Sequence, residues 1–188
     1  NATTPVQLNA VAYGNGVYVA VGNAQTVISS TDGVNWTARS VSGSPNQNIL
    51  GVAFGNGVFV AVDIVNEIFT STDGSSWTTV QGATAGPSWS NIKFLNGIFV
   101  AVGSNLYSNS SRIQTSSNGS SWNTEVSAGT GALYDVTYGN GKWLAVGASK
   151  VVSFTSADAS GATFTSVSGL GDCVGFINGL FISDKCNY

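Results

Sequence analysis

The dipeptide Asn-Gly recurs at nearly constant spacing along this 188-residue chain. Five of its six occurrences are regularly spaced, beginning at Asn15, Asn56, Asn96, Asn140 and Asn178, at intervals of 41, 40, 44 and 38 residues. In these five, an aromatic residue lies two positions before the Asn, and another lies two positions after the Gly. Asn-Gly between apolar segments is the strongest short-range hairpin signal, because both residues tolerate the positive φ of a type I′ turn. Each copy therefore begins with a tight β-hairpin.

The rest of each copy supplies two more strands. The second hairpin strand is apolar at nearly every position, as in Val17–Val21 and Val58–Val62, which indicates a sheet that is covered on both faces. A third β-rich segment follows, then a turn, then an aromatic residue that begins a more polar fourth strand. These aromatic residues are Trp36, Trp77, Trp122 and Phe164. Four strands in a unit of about 40 residues, repeated along the chain, are typical of β-propeller blades.

The sequence thus predicts an all-β, single-domain fold, a small β-propeller of about five blades. Four complete four-stranded repeats cover residues 8–48, 49–88, 89–132 and 133–170, and a partial fifth covers residues 171–188. Residues 1–7 resemble the outer strand at Thr78–Gln81, so we expect them to pair with the last hairpin and close the ring, with Pro5 on an edge. Two alternatives remain open: the missing strand comes from another chain, or the chain is part of a longer propeller.

Composition excludes several classes of partner. Only 8% of the residues are charged, the formal net charge is −3, and the six Lys and Arg residues are not clustered. Phosphate backbones and anionic lipids require a basic patch, and a membrane span requires a long apolar run. We therefore expect neither nucleic-acid binding nor membrane insertion.

Cysteines and glycosylation motifs favour a secreted or cell-surface protein. Cys173 and Cys186 bracket the last hairpin, and we expect a disulfide between them, with two buried free thiols as the alternative. Four Asn-x-Ser/Thr motifs are candidate glycosylation sites: Asn1, Asn35, Asn109 and Asn118.

The turn between the third and fourth strands carries a recurring motif. It is Ser30-Thr31-Asp32-Gly33-Val34-Asn35-Trp36 in the first copy, and similar segments occupy residues 71–77, 116–122 and 156–164. This motif resembles the Asp-box repeat, Ser-x-Asp-x-Gly-x-x-Trp, of sialidase-like (BNR-type) propellers, although the spacing between Asp and the aromatic residue differs by one. The resemblance implies a structural role. A short Asp or Asn side chain caps a tight turn through its own backbone, so Asp32, Asp73 and Asp158 are not expected to be catalytic.

The remaining residues do not favour an enzyme. The sialidases that the chain resembles use an arginine cluster, whereas this chain has only Arg39 and Arg112, and it contains no His for a nucleophile pair or zinc site. A two-carboxylate glycosidase could be sought in Asp63 and Glu67, but a solvated loop is the alternative. No dense carboxylate loop suggests calcium. We therefore expect no enzymatic activity, cofactor or metal.

Two functions remain open. The first is a non-catalytic extracellular module that recognises glycans or another polar ligand on a propeller face. Its candidate contact residues are those that break the repeat, namely Trp89, Asp63 and Asp135. For each there is a simpler alternative: Trp89 as a larger core residue, and the two acids as surface variation. The second function is a structural subunit or adhesin head that self-associates in an extracellular filament or surface layer.

Overall fold

The computed structural model describes residues 6–82, 87–105, 107–148, 150–166 and 171–185. All regular secondary structure in these ranges is β-strand, as expected for an all-β fold. Within the same ranges, no helix has the length and hydropathy that crossing a membrane requires. The side chains of Pro87, Ala128 and residues 164–166 are not part of the description.

Eighteen described strands form five antiparallel sheets. The first sheet contains β1 (Leu8–Gly14), β2 (Val17–Gly22), β3 (Thr26–Ser30) and β4 (Thr37–Arg39). The second contains β5 (Ile49–Gly55), β6 (Val58–Asp63), β7 (Ile68–Ser71) and β8 (Thr78–Gln81). The third contains β9 (Pro87–Leu95), β10 (Ile98–Asn105), β11 (Ser110–Ser116) and β12 (Val126–Thr130). The fourth contains β13 (Leu133–Gly139), β14 (Lys142–Gly147), β15 (Lys150–Phe154) and β16 (Thr163–Ser166), and the fifth contains β17 (Cys173–Ile177) and β18 (Leu180–Asp184).

The Asn-Gly turns have the predicted geometry. All five Asn residues have φ between 48° and 51°, and the following Gly residues have φ between 73° and 83°. Positive φ at both central residues defines a type I′ turn, whose twist matches that of the two flanking strands. The turns therefore fix the register of each hairpin, in which the two repeated aromatics face each other across the strands, as in Phe54 and Phe59.

The sheets stack face to face in chain order. Their first strands, β1, β5, β9, β13 and β17, each pack beside the next. Aliphatic side chains of one sheet meet aromatic and aliphatic side chains of the following sheet in separate core clusters. One such cluster joins Val19 and Val21 of the first sheet to Val52 and Phe59 of the second. The second and third sheets each contribute to a cluster on both faces, and their second strands are accordingly apolar on both faces, as the sequence predicted.

Glycine allows the sheets to approach closely at the end of the first strand. A Cβ on Gly14 would overlap the ring of Phe54, and a Cβ on Gly55 would overlap the ring of Phe94. The same relation holds for Gly139 and Phe176. At these positions the glycine is required by the packing of the next sheet rather than by its own φ.

The outer strand of the third sheet begins later than predicted. The sequence analysis placed its start at Trp122, but β12 begins at Val126. The backbone N–H of Asn123 still donates to the Thr115 carbonyl, and its side chain donates to the Thr115 hydroxyl. This side-chain bond competes with the regular ladder, which resumes where Val126 pairs with Ile113.

The last sheet has two strands in the described part of the chain. The proposed closure of the ring involves residues 1–7, of which residues 1–5 lie outside the described residues. The carbonyl of Gln7 accepts a hydrogen bond from the N–H of Asn23 in the first sheet. Completion of the fifth sheet by the N-terminal segment stays a prediction.

Replacing Gly55 with Ala should lower the free energy of unfolding by about 1–3 kcal/mol, because the added methyl group overpacks the interface with Phe94. The control is Gly82→Ala, since a Cβ at exposed Gly82 meets no atom within 4 Å. Urea unfolding of both variants measures the difference. Equal stability of Gly55→Ala and the wild-type protein would contradict the close approach of the sheets.

Candidate functional site

The inner strands form an elongated groove, here called the axial groove. It has a volume of about 500 Å³ and is lined by residues 9–13 of β1, residues 50 and 52–54 of β5, and residues 90–95 of β9. Each of these strands pairs with a neighbour of its own sheet on one side only. Backbone N–H and C=O groups on the inner edges are therefore turned toward the groove, where a ligand can complete their hydrogen bonds.

The axial groove opens at the start of the inner strands into a second cavity, here called the groove mouth. The groove mouth has a volume of about 580 Å³, and most of its lining surface is apolar, with amide and hydroxyl groups distributed among the apolar atoms. Its lining residues are Gln7, Leu8, Asn9, Asn23, Leu50, Ser90 and Tyr134. Three of them, Asn9, Leu50 and Ser90, also line the axial groove, so the two cavities are continuous.

A β-bulge positions Asn9 at the junction of the two cavities. The register between β1 and β2 shifts between Leu8 and Ala10, which leaves Asn9 without a paired residue. The Asn9 amide donates to Asn23 Oδ1 at 3.0 Å and to the Ile49 carbonyl at 2.9 Å. These two bonds hold the side chain between the first and second sheets.

Asp135 is buried and connects three sheets. Its Oδ1 lies 2.6 Å from Lys93 Nζ and accepts from the Asn91 amide at 3.1 Å, both on β9. Its Oδ2 accepts from the backbone N–H of Val174 on β17 at 3.0 Å. Lys93, which is only partly exposed, is thus neutralised by a carboxylate on the next sheet. The predicted ligand contact at Asp135 lies beneath the groove surface as part of the inter-sheet structure.

Trp89 is fully buried in the cluster between the second and third sheets. It replaces the smaller residues Leu8, Ile49 and Leu133 of the other copies. This placement agrees with the core-residue alternative from the sequence analysis. No ligand in the axial groove touches its ring without rearrangement of the core.

Asp63 and Glu67 form a buried carboxyl pair at the turn between β6 and β7. Asp63 Oδ1 accepts from the backbone N–H of Val65 at 2.9 Å and of Glu67 at 2.7 Å. Both carboxylate oxygens of Glu67 accept from the N–H of Ser44, at 3.0 and 2.8 Å. The pair fastens the connection after the first sheet to the second sheet, and neither residue lines the axial groove or its mouth.

Burial changes the protonation of Asp63. Loss of solvation is the largest cause, and with the neighbouring Glu67 carboxylate it raises the pKa of Asp63 to about 7, against the opposing bonds from the N–H groups of Glu67 and Val65. The solvated-loop alternative for this pair does not apply, since both side chains are buried.

The turn aspartates bond to their own turns. Asp32 Oδ1 accepts from the N–H groups of Val34 and Asn35 at 2.8 Å, and the Trp36 indole N–H donates to the Gly33 carbonyl. The backbone N–H groups of Asn35 and Val34 hold the pKa of Asp32 well below its usual range, and the bond from Asn35 has the largest effect. Bonds from Ser76 and Ser75 likewise lower the pKa of Asp73 to about 2.

The third turn contains Asn118 in place of Asp, and its Oδ1 accepts from Ser120 and Ser121 in the same geometry. The amide thus replaces the carboxylate without changing the turn. The role of these residues is therefore to shape the backbone.

The cysteine and glycosylation predictions fall partly outside the described residues. Cys173 at the start of β17 is disulfide-bonded, but Cys186 lies outside the description, so their pairing stays a prediction. Asn35, Asn109 and Asn118 lie on exposed turns, whereas Asn1 is not among the described residues. Exposure leaves the three described motifs open to modification, which itself is untested.

Sequence reasoning missed the polar residues that line the two cavities. Asn9, Ser90 and Tyr134 occupy one equivalent repeat position, where the other copies have Leu50 and Asp172. This position varies in chemistry from copy to copy, as does the next one, and such variation is the signal that could have been used. Which variable positions face the axis depends on how the sheets stack, and the sequence pattern does not give that.

Comparison with known proteins identifies the fold. No protein-family model and no curated protein matches the sequence. A structure of YCF48 bound to D1 peptide aligns with a TM-score of 0.62 at 16% identity, over 86% of this chain and 53% of that chain. A nidogen/laminin complex aligns with a TM-score of 0.65 at 11% identity, over 96% and 72%. YCF48 from Cyanidioschyzon merolae aligns with a TM-score of 0.65 at 16% identity, over 95% and 62%.

These similar structures are β-propellers, so the predicted fold class is confirmed. The identities are low, and the similarity therefore concerns the fold alone. The chain spans between about half and three quarters of the length of these solved structures.

Asp63 should make the protein less stable as the pH rises from about 4 to about 7. In this window the folded state keeps a proton on Asp63 that the unfolded state has lost, because the pKa is raised from 3.8 to about 7 on folding. In Asp63→Asn, this dependence should be reduced. Urea unfolding at a series of pH values measures it, and an unchanged pH slope in the variant would contradict the assignment.

Asp73 should act in the opposite direction at lower pH. Its lowered pKa stabilises the fold above about pH 4, and this contribution is lost as the pH falls toward 2. Asp73→Asn should fold normally, because Asn118 makes the same turn. The variant should lose less stability between pH 4 and 2, measured by thermal unfolding, while its slope between pH 4 and 7 stays that of the wild type.

Proposed function

We propose that this chain is a non-catalytic binding module, secreted or at the cell surface, whose axial groove and groove mouth bind a neutral polar ligand. A glycan is the first candidate. The observation that carries this proposal is the lining of the two continuous cavities, in which amides, hydroxyls and aromatic rings converge. Sugars are bound by such mixtures, since their hydroxyls bond to amides and their apolar faces stack on rings.

Charge supports a neutral ligand rather than an ion. The cation in the lining of the axial groove is Lys93, and the Asp135 carboxylate lies 2.6 Å from its ammonium group. Asp135 is also bonded by Asn91 and by the backbone N–H groups of Val136 and Val174. An anionic ligand would have to compete with this buried carboxylate for Lys93, whereas a ligand without charge leaves the pair intact.

The arrangement of carboxyl groups supports a role without catalysis. Glycoside hydrolysis needs two carboxyl groups on either side of the scissile bond. The buried pair of Asp63 and Glu67 lies away from both cavities, and its oxygens are bonded to backbone N–H groups of Val65, Glu67 and Ser44. The turn aspartates are likewise used by their own turns, as Asp32 is.

An extended peptide is the second candidate ligand. The inner edges of β1, β5 and β9 have backbone groups without partners in their own sheets, and a peptide can bond to such edges. One of the similar structures is YCF48 bound to D1 peptide, and another is a nidogen/laminin complex. Both structures are therefore propellers described with a peptide or protein partner. Their sequence identities to this chain, 16% and 11%, support similarity of fold only.

We further propose kinship with the Asp-box propellers. The Ser, Asp and Gly of each motif bond in one repeated pattern, in which the Ser hydroxyl accepts from the Gly N–H at 2.9 Å in the first two turns. The exposed turns at Asn35, Asn109 and Asn118 and the low charge content fit a location outside the cell.

Filling the junction of the two cavities should abolish binding. Ser90→Phe places a ring where the axial groove meets its mouth, and we expect at least about a tenfold loss of affinity for a ligand found on a glycan or peptide array. Isothermal titration calorimetry measures the affinity. The control is Ser127→Phe, an equal change on the exposed outer strand β12, which should bind as the wild type does.

Two results would count against the proposal. Equal binding by Ser90→Phe and Ser127→Phe would exclude the axial groove as the site. Cleavage of the bound glycan, followed by mass spectrometry and lost in Asp63→Asn or Glu67→Gln, would contradict the absence of catalysis.

A further inference from the structure

The first and last sheets carry apolar faces that are covered in every other sheet. On β1, Val11 is 62% exposed, whereas the equivalent residues of the following four sheets, Val52, Ile92, Val136 and Val174, are 7%, 2%, 0% and 5% exposed. Leu8 and Tyr13 are exposed beside Val11, and these side chains also line the groove mouth and the axial groove. We call these three residues the leading face. In the other sheets the preceding sheet covers this face, whereas among the described residues no sheet covers it in the first.

The last sheet also has an exposed apolar face. Ile182 of β18 is 50% exposed, whereas its equivalents Val19, Val60 and Val100 are fully buried against the next sheet and Leu144 is half-buried. Leu180 and Ile177 are exposed on the same sheet. We call Ile177, Leu180 and Ile182 the trailing face. Neither face carries a charged side chain, and exposed apolar patches of this kind mark interaction sites.

The two faces are complementary at the position where the sheets approach most closely. Three interfaces pair a glycine with a phenylalanine of the next sheet, as Gly14 does with Phe54. The remaining interface has Leu95 in the glycine position, and there the next sheet supplies Tyr138 to the same core cluster. The trailing face has Ile177 in this position and the leading face has Tyr13, so the open ends repeat the combination of an aliphatic residue with tyrosine.

One hydrogen bond recurs between successive sheets. Its donor is also present on the last sheet, and its acceptors are present on the first. The turn amide of Asn15 donates to the carbonyls of Gly57 and Thr72 in the next sheet. Asn56 donates in the same way to Gly97 and Ser117, and Asn140 donates to Gly179 at 3.1 Å. At the trailing end Asn178 is the corresponding donor, and at the leading end the carbonyls of Gly16 and Thr31 are the corresponding acceptors.

We propose that a second copy of this chain docks its leading face on the trailing face of the first, which continues the interface between sheets across two molecules. Tyr13 and Val11 of one copy then pack on Ile177 and Ile182 of the other, and Asn178 donates to the Gly16 carbonyl. Because the two faces differ, the contact is head to tail. Each pair of copies keeps one free face of each kind, so association continues to larger species unless a ring closes.

The test is light scattering after size exclusion, over a range of protein concentrations. The wild-type chain should form species heavier than the 19.2 kDa monomer, in amounts that grow with concentration. Val11→Asp blocks the leading face and Ile182→Asp blocks the trailing face. Each variant alone should be a monomer, with association weakened at least about a hundredfold, since a buried unpaired charge is costly.

Mixing the two variants gives the decisive result. Each keeps one intact face, so an equimolar mixture should form a species of two copies and nothing larger. Tyr107→Asp, which removes an exposed apolar side chain from the third sheet, should associate as the wild type does. Circular dichroism should report the same fold for all three variants.

Three outcomes would overturn the proposal. A wild-type monomer at every concentration would mean that the chain covers its own ends. Failure of the mixture to form two-copy species would exclude head-to-tail contact. Unchanged association of Val11→Asp would move the interface elsewhere.

Discussion

The packing of sheet against sheet governs this structure, because the four-stranded sheets have apolar side chains on both faces and bury them against neighbouring sheets. A single sheet with two apolar faces would not be stable in water by itself. Stacking on neighbouring sheets removes the apolar surface from solvent. The core is accordingly divided into clusters between successive sheets, rather than collected in one centre. Burial of Val60 and Val62 on one face of the second sheet and of Phe59 and Ala61 on the other illustrates the requirement.

Polar groups within this stack serve the same packing. Asp135 is buried, yet bonds from Asn91, Lys93 and the Val174 N–H offset its loss of solvation and tie three sheets together. Asp63 lacks an ionic partner and instead takes a raised pKa. The two acids therefore differ: Asp135 is paired with Lys93, whereas Asp63 has a raised pKa, and both belong to the inter-sheet scaffold.

The groove and the end faces follow from the stacking as well. When the sheets radiate from a common axis, their first strands meet at that axis with one backbone edge each unpaired, which creates the axial groove without any dedicated element. In the part of the chain that the structure describes, the first and last sheets of the stack each also keep an exposed apolar face. The proposed ligand site and the proposed contact between copies are thus two consequences of one geometry, and they share Leu8, Val11 and Tyr13, so a docked copy would restrict access to the groove.

The sequence by itself determined the unit and its order along the chain. Asn-Gly turns, strands apolar on both faces and the Asp-box-like turns act within about 40 residues, where local φ preferences and strand periodicity decide the structure. The tertiary structure decided which side chains reach the groove, why Trp89 and Asp135 are buried, and that Val11 is exposed while Val52 is not. Val11 and Val52 occupy the same position in the repeat, and only the presence or absence of a neighbouring sheet distinguishes them.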